Sequence, residues 1–192
     1  MISRMGSIFS NRLRMKGKVA EEASHPGEIS VVIAALISSA AMAGVISAVQ
    51  LIIYPSFLEI PDGSFVAYHQ WYSEQITKIV GPLMVVELGT ALLSIVVFTA
   101  GRWRYLAVIG VGFAVALWAV TGLVQLPQHS QLANGYDAES IENLVRGNWI
   151  RFWLWQGKLV ISILLLVALI KSRRLNRDAI RTRALQSQRR KR

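Results

Sequence analysis

The amino-acid sequence predicts an all-α protein, a polytopic membrane protein built as a four-transmembrane-helix bundle. Two observations support this prediction. Hydrophobic residues make up 53% of the 192 residues and the mean hydropathy is +0.42, which is too apolar for a soluble domain of this length. Four segments, at 29–53, 79–100, 105–126 and 149–170, also reach the roughly 20 residues that a helix needs to cross a hydrocarbon core.

The fourth segment differs from the other three because Arg151 and Lys158 interrupt its apolar run. Tryptophans at its start are typical of a helix that begins at the membrane interface. We therefore expect one bundle domain over residues 29–170. A basic leader (1–28) precedes it and a basic tail (171–192) follows it.

Lysine and arginine residues outside the four segments predict the orientation of the chain. Residues 1–28 hold five, the turn at 101–104 holds two and the tail holds ten, whereas the loops at 54–78 and 127–149 hold one each. Positive loops stay in the cytoplasm, so we expect both termini there and both larger loops outside. The sequence thus predicts a multi-pass protein of a bacterial inner membrane. For the tail, the pattern favours anionic lipid over nucleic acid as the partner.

The chain contains no cysteine, which excludes disulfide and thiolate chemistry. Metal ligands could come only from histidine, carboxylate or amide groups. His69 and His129 do not form a motif with metal-ligand spacing, and a third ligand would have to come from Glu59, Glu74 or Asn148. The sequence therefore predicts no metal site and leaves any cofactor unknown.

The first outer loop is predicted to contain a short helix. Residues 61–64 form a turn signal in which Asp62 or Ser64 can cap a helix that runs over about 65–80. The Gly-Pro pair at 81–82 is then expected to bend or restart that helix at the membrane surface.

The second outer loop is predicted to start at Pro127 and to contain another short helix. The Asn-Gly pair at 134–135 supplies a stop, and Asp137 is expected to cap a helix that ends near Arg146. The pair at 147–148 should break that helix before the chain re-enters the membrane. Both loops then form short helices over the mouth of the bundle.

Small residues form a stripe on the first helix at Ala40, Gly44 and Ala48, with Ser47 beside it. Such a stripe lets another helix approach closely. We expect it to be a packing face.

Polar residues inside the four segments concentrate towards their outer ends. Glu87 lies eight residues after Ile79 and Lys158 lies eight residues after Ile150, so each is about 12 Å deep at about 1.5 Å per residue and the two can meet. An unpaired charge at this depth is costly, and mutual pairing is the cheapest explanation of both. Gln50 and Gln125 are expected to extend the pair into a hydrogen-bonded chain that leads outwards.

Four further residues are candidates for catalysis at the outer mouth. His69 and His129 can act as bases near neutral pH. Arg151 shares a helical face with Asn148, and these two can steady a developing negative charge on an anionic or enolate-like group. The polar network also has a purely structural interpretation, in which it only fixes helix register and orientation.

The order of these features resembles that of a group of small bacterial four-helix membrane proteins, most of which have no assigned activity. It is similar, more remotely, to the anthrone-oxygenase-like family, whose better-known members oxidise polyketide anthrones to quinones without an evident metal or flavin. The resemblance covers about residues 30–170. The residues on which it depends are Gln50, Tyr54-Pro55-x-Phe57, Tyr68-His69, Glu87, Gln125-x-Pro127-x-His129 and Asn148-Trp149-x-Arg151.

Three functions stay open at this stage. The first is the binding of a small apolar, aromatic or quinone-like molecule at the outer mouth, with cofactor-independent oxidation or proton abstraction as the chemistry if the protein is an enzyme. The second is a non-catalytic accessory subunit of a larger electron-transfer or photosynthetic membrane complex, which would have membrane-protein partners. The third, a proton-coupled transporter, is weakened because the chain has neither a repeat nor a broken helix pair.

Overall fold

The computed structural model describes residues 26–189, and within them every regular element is helical. The main helices are α1 (Pro26–Ala48), α3 (Asp62–Val97), α4 (Gly101–Val120) and α6 (Ala138–Arg189). Shorter elements connect them: a π-helical turn (Val49–Ile53), α2 (Tyr54–Ser56), a 3-10 turn (Phe57–Glu59), a second π-helical turn (Thr121–Gln125) and α5 (Leu126–Leu132). Most of the predicted leader, and the last three residues of the predicted tail, lie outside the described residues.

Four helices in the described part are long and apolar enough to cross a membrane. They span Gly27–Glu59, Asp62–Val97, Gly101–Leu132 and Ala138–Arg189. Three of them contain a predicted segment in full, and the second contains 79–97 of the segment predicted at 79–100. The all-helical class and the number of candidate spans are confirmed. Large apolar side chains such as Val96 and Leu123 are more than 70% exposed on the outer faces of the helices. This surface fits the multi-pass membrane protein that the composition predicts.

The four helices pack as a bundle in which α1, α3, α4 and α6 follow one another around the axis and α6 closes the ring against α1. One end carries the connections at 54–61 and 126–137, which we call the loop end. The other end carries the connection at 98–100, the turn end. Three layers of buried side chains fill the interior: Tyr54, Phe57, Phe65, Tyr72, Leu132, Ile141 and Leu144 at the loop end, Met42, Ile46, Met84, Leu117 and Trp155 in the middle, and Val32, Phe98, Ile161 and Leu165 at the turn end.

The two π-helical turns share a sequence cause. Each lies immediately before an X-Pro pair, Tyr54-Pro55 in one case and Leu126-Pro127 in the other. Proline has no N–H for the regular helical bond, and the amide just before it instead bonds the carbonyl five residues back: Tyr54 to Val49, and Leu126 to Thr121. The chain therefore passes through both positions as a distorted helix.

The prediction of a helix break at 81–82 is wrong, because α3 is continuous from Asp62 to Val97 with Pro82 inside it. Apolar spans tolerate an internal proline when packing holds both flanks, and Tyr72 and Met84 are buried on either side. The predicted side-chain cap is also absent: neither Asp62 nor Ser64 caps the helix, and the Ser64 amide bonds the Pro61 carbonyl instead.

The second connection is only partly as predicted. The helix continues through Pro127 to Leu132, so the loop is shorter than expected. The turn at Asn134-Gly135 is present, and Asp137 caps the next helix by accepting bonds from the Ser140 amide and hydroxyl. The hydrogen bonds from Ser140 hold the pKa of this exposed carboxyl below its usual range.

The predicted break at 147–148 is wrong, since α6 runs unbroken from Ala138 to Arg189. Gly147 serves packing instead: a Cβ there would lie 3.1 Å from the Gln128 Oε1 atom. The same helix passes without interruption into the basic tail. The boundary predicted at 170/171 is thus a change in composition and does not coincide with a helix end.

The small-residue stripe does not pack inside the bundle. Ala40, Gly44 and Ala48 are exposed, and a Cβ at Gly44 would meet no atom within 4 Å. Helix α1 instead contacts α6 through neighbouring positions, where the Gln156 amide donates to the Ser47 hydroxyl at 3.3 Å. The interpretation of the stripe as a packing face within this chain is therefore wrong.

Candidate functional site

Helix α6 brings three candidate polar residues, and Trp155 with them, onto its buried face. Asn148, Arg151, Trp155 and Lys158 are three or four residues apart, which is the spacing of one helical face, and all four are at least 95% buried. Arg151 lies towards the loop end, and Lys158 lies two turns closer to the middle of the bundle. These two cations have different surroundings.

Lys158 forms an ion pair with Glu87 across the bundle, from α6 to α3, with exposures of only 2% and 1%. The Ser162 hydroxyl donates to the Lys158 carbonyl at 3.1 Å and lies 3.0 Å from the Ser39 hydroxyl. A Cβ at Gly110 on α4 would lie 3.3 Å from the Ile161 Cγ2 atom, so α4 packs closely against α6 at this level. The prediction that Glu87 and Lys158 meet, which came from their equal depth in the bundle, is confirmed.

Arg151 lies beside an amide cluster. Its Nη1 donates to the Asn148 Oδ1 at 3.3 Å, and the Asn148 Nδ2 donates to the Gln50 Oε1 at 2.9 Å. The Gln50 Nε2 then donates to the Val145 carbonyl at 3.2 Å. Asn148 is fully buried and does not line the cavity described below, so its contact is with Arg151, whose orientation it supports.

Three side chains at the loop end form a hydrogen-bonded chain, which we call the relay. The Tyr54 hydroxyl lies 2.9 Å from the His129 Nε2, and the His129 Nδ1 lies 2.9 Å from the His69 Nε2. The two imidazole rings are inclined by 28° with their centres 5.1 Å apart, and Phe65 stacks on His69 at 5.7 Å. These aromatic contacts, with the edge contact of Tyr54 on His129, hold the histidine rings in the orientation that their bond requires.

Gln125 bonds to the relay at Tyr54 and not to the ion pair. The Tyr54 hydroxyl lies 3.3 Å from the Gln125 Oε1, and the Gln125 Nε2 lies 3.4 Å from the Gln128 Oε1. Among the described residues, no hydrogen bond joins Gln125 or Gln50 to Glu87 or Lys158. The expected chain from the ion pair outwards is therefore wrong: the described residues form a separate ion pair and a separate loop-end cluster.

The Arg151 side chain is 5% exposed and has no carboxylate within ion-pair distance in the described part of the chain. Its Nε has no hydrogen-bond partner. Its positive charge interacts electrostatically with Tyr54, Tyr72 and His129. A buried guanidinium with this environment is electrostatically unbalanced within the protein.

A cavity of ≈ 250 Å³ lies against Arg151, between α3 and the α4–α5 segment. Four buried polar atoms without a hydrogen-bond partner belong to residues that line it: the Tyr72 hydroxyl, the Ser73 hydroxyl, the Thr121 hydroxyl and the Arg151 Nε. Buried polar groups are normally satisfied, so their concentration around one cavity indicates a ligand site. The other residues of the wall are Ile46, Val49, Tyr54, Ile76, Thr77, Val80, Gly81, Met84, Trp118, Gln125, Leu126 and His129.

A wider groove of ≈ 690 Å³ adjoins the cavity on the loop side. The two share Ser73, Thr77, Leu126 and His129, and the groove also contacts His69. His129 therefore faces both spaces, and the relay leads from the cavity at Tyr54 to the groove at His69.

His69 and His129, the two possible metal ligands at the loop end, bond to each other. Within the described residues, no group of three histidine, cysteine, aspartate or glutamate side chains could hold a metal ion. Of the residues that could supply a third ligand, Glu59 and Glu74 do not complete such a group, and Asn148 bonds to Gln50 and Arg151.

The tryptophans differ in their exposure to the surroundings of the bundle. Trp71, Trp149 and Trp153 are exposed, as interfacial anchors would be, whereas Trp155 is buried in the middle core layer. Trp118 is 42% exposed and lines the cavity.

Sequence reasoning missed three residues as members of the site: Tyr54, Tyr72 and Thr121. Tyr72 was detectable, because it follows His69 by three residues on the inner face of α3. Helical spacing did not identify Tyr54 or Thr121 as site residues, because both lie in or beside a π-helical turn, where the regular spacing fails.

No family model matches this chain, and no curated protein or solved structure matches it either. The resemblance to the anthrone-oxygenase-like family gains no support from these comparisons and stays a prediction.

Proposed function

We propose that this chain is an integral membrane protein that binds a small apolar ring compound, aromatic or quinone-like, with an electron-rich oxygen against Arg151. The observation that supports this most directly is the unbalanced guanidinium at the wall of the cavity. An oxygen that carries partial or full negative charge supplies what Arg151 lacks within the protein. The largely apolar remainder of the wall favours a ring.

The relay suits proton transfer between such a ligand and the groove. A ligand proton can pass to the Tyr54 oxygen as the Tyr54 proton passes to the His129 Nε2. The His129 Nδ1 proton then passes to the His69 Nε2. This sequence leaves an anionic ligand beside Arg151 and an imidazolium at His69, so charge and protons balance. Proton abstraction is the reaction we assign to the site if the protein is an enzyme.

The proposal is tested by the binding of menadione, a small naphthoquinone, to the purified protein in mild detergent, followed by quenching of tryptophan fluorescence. Trp118 in the cavity wall is the expected reporter. Arg151→Met removes the guanidinium and keeps an apolar side chain of similar length. A hydrogen bond to a charged group contributes about 1.5–3 kcal/mol, so we expect affinity to fall by roughly 10- to 100-fold.

The matched control is Arg146→Met, which lies on the same helix but is exposed and paired with Glu142. It should bind menadione as the wild-type protein does. Circular dichroism establishes that both variants fold. Unchanged binding in a folded Arg151→Met protein would contradict the proposal, as would equal losses in the two variants.

A second candidate function is that of an accessory subunit of a larger membrane complex. The observation that favours it is the outward-facing stripe of Ala40, Gly44 and Ala48, which offers another helix a close approach. In native gels of solubilised membranes, Gly44→Leu should release the protein from a larger pigment- or haem-containing complex. Gly112→Leu, at another exposed glycine with open space around its Cβ position, should not. Migration of the wild-type chain alone contradicts this candidate.

A further inference from the structure

The cavity opens through the side of the bundle. Its exposed wall residues are Thr77 on α3, Trp118 on α4 and Leu126 at the start of α5, the last being 60% exposed. The wall residues that come from α1, the adjoining π turn, α2 and α6 are all buried. The opening must therefore lie between α3 and the α4–α5 segment.

The polarity of the wall changes from the inside of the cavity to this opening. Arg151, Gln125 and Tyr54 form the buried end, each at most 5% exposed. The way out passes Val80 and Trp118. A molecule that fits this gradient has a polar head, which enters first, and an apolar part, which follows.

The opening extends from Thr77, which lies just outside the segment predicted at 79–100, into the depth of the predicted spans. Gly81 is in the predicted segment 79–100, and Trp118 is eight residues inside the end of segment 105–126, about 12 Å at 1.5 Å per residue. In a membrane, the side of the bundle at this depth meets hydrocarbon rather than water.

The volume limits how much of a ligand the cavity can hold. A cavity of about 150 Å³ accommodates benzene, and pockets for whole drug-sized ligands start near 300 Å³. At ≈ 250 Å³, this cavity accommodates one or two rings. A long alkyl chain on the same molecule would have to stay outside the cavity.

Gly81 keeps the opening clear on the α3 side. It lines the cavity, and a Cβ at this position would meet no atom within 4 Å. A larger side chain at 81 can therefore extend into the gap without displacing the backbone.

We infer that the ligand is an amphiphile of the bilayer, a ring head with an alkyl or isoprenoid chain, which enters between α3 and α4. The head reaches Arg151 and the relay while the chain stays in the lipid. This inference depends on the proposed function, since it specifies the ligand class of the same site.

The test uses the protein in lipid nanodiscs and two probes: decylubiquinone, and the same quinone without its decyl chain. Gly81→Leu should lower the affinity for decylubiquinone by about tenfold or more. The control, Gly89→Leu, lies on the same helix, is exposed, has the same open space around its Cβ position and does not line the cavity. It should bind like the wild-type protein.

A second measurement on the wild-type protein does not depend on how Gly81→Leu folds. A quinone with a photoreactive group at the end of its decyl chain should crosslink to the outer flanks of α3 and α4 near Gly81 and Trp118. Crosslinks confined to the groove, at Gln70 or Ser130, would overturn the inference.

The outcomes separate this inference from the proposed function. If both probes bind with dependence on Arg151 but the chain lies in the groove, or if Gly81→Leu and Gly89→Leu bind alike, lateral entry is wrong and the ring site remains. If neither probe binds the wild-type protein at all, both proposals fail.

Discussion

Lys158 and Arg151 lie seven residues apart on the same buried face of α6, and comparing them separates structure from function in this bundle. Lys158 meets the Glu87 carboxylate, so the charge is neutralised where it is buried. Arg151 meets an amide and a cavity, with no carboxylate among the described residues. The charge of Lys158 is thus balanced by another side chain of the protein. The charge of Arg151 is not balanced by any described side chain.

This difference shows which polar residues the fold itself explains. A bundle that needs polar contacts only to fix helix register is served by the ion pair and by the Gln50–Asn148 bond. Arg151 adds a buried charge that costs free energy and that the described residues do not balance. A structural role therefore accounts for Lys158 more fully than for Arg151.

The largest expected effect comes from breaking the ion pair. Glu87→Leu leaves the Lys158 charge buried and unpaired, which should lower the free energy of unfolding by about 3–5 kcal/mol. The double variant Glu87→Leu/Lys158→Met removes both charges and should recover most of that loss. Unfolding in detergent followed by circular dichroism measures both. Equal instability in the single and double variants would show that packing, not charge, sets the effect.

A smaller loss in the free energy of unfolding should follow from adding a methyl group at the interface between α4 and α6. This interface is closely packed, whereas the gap between α3 and α4 is open. A Cβ at Gly157 would lie 2.6 Å from the Phe113 ring. Gly157→Ala should therefore destabilise the bundle by about 1–3 kcal/mol. Gly112→Ala, which adds a methyl group to α4 in open space, should stabilise it by about 0.5–1 kcal/mol. Thermal unfolding of the two variants should thus shift in opposite directions.

The sharpest contrast with Lys158 is the stability of Arg151→Met. Removing an unbalanced buried charge should leave the free energy of unfolding unchanged or raise it by about 1 kcal/mol, whereas Lys158→Met should lower it. The same denaturation experiment compares the two. A large loss of stability in Arg151→Met would make Arg151 a structural residue and remove the main support for the ligand site.

Much of the fold could be predicted because apolar run length and the rise per residue are nearly independent of tertiary context. These two quantities identify the four spans and bring Glu87 to the depth of Lys158. Local breaker signals were less informative. The pairs at 81–82 and 147–148 lie inside continuous helices, because packing on both flanks outweighs the local preference of glycine and proline.

The candidate site was less predictable for a geometric reason. Arg151, Asn148 and His129 were found from residue type and helical face. Tyr54 and Thr121 were missed because the π-helical turns before Pro55 and Pro127 change the spacing locally. The cavity depends on the gap between α3 and α4, and no pattern within either helix describes a distance between them.

The smallest expected effect is at the exposed start of α6, where Asp137 is charged but solvated, unlike both buried cations. Because its folded-state pKa lies below that of an ordinary aspartate, about 3.9, its contribution to stability is complete at neutral pH. It is lost as the pH falls through the lowered pKa. Asp137→Ala should thus be slightly less stable than the wild-type protein at pH 7, and the stabilities of the two proteins should converge in acid.

Asp62→Ala provides the control, because Asp62 starts α3 without capping it. Equal losses in both variants at pH 7 would show that helix-terminal charge, rather than the bonds from Ser140, stabilises α6.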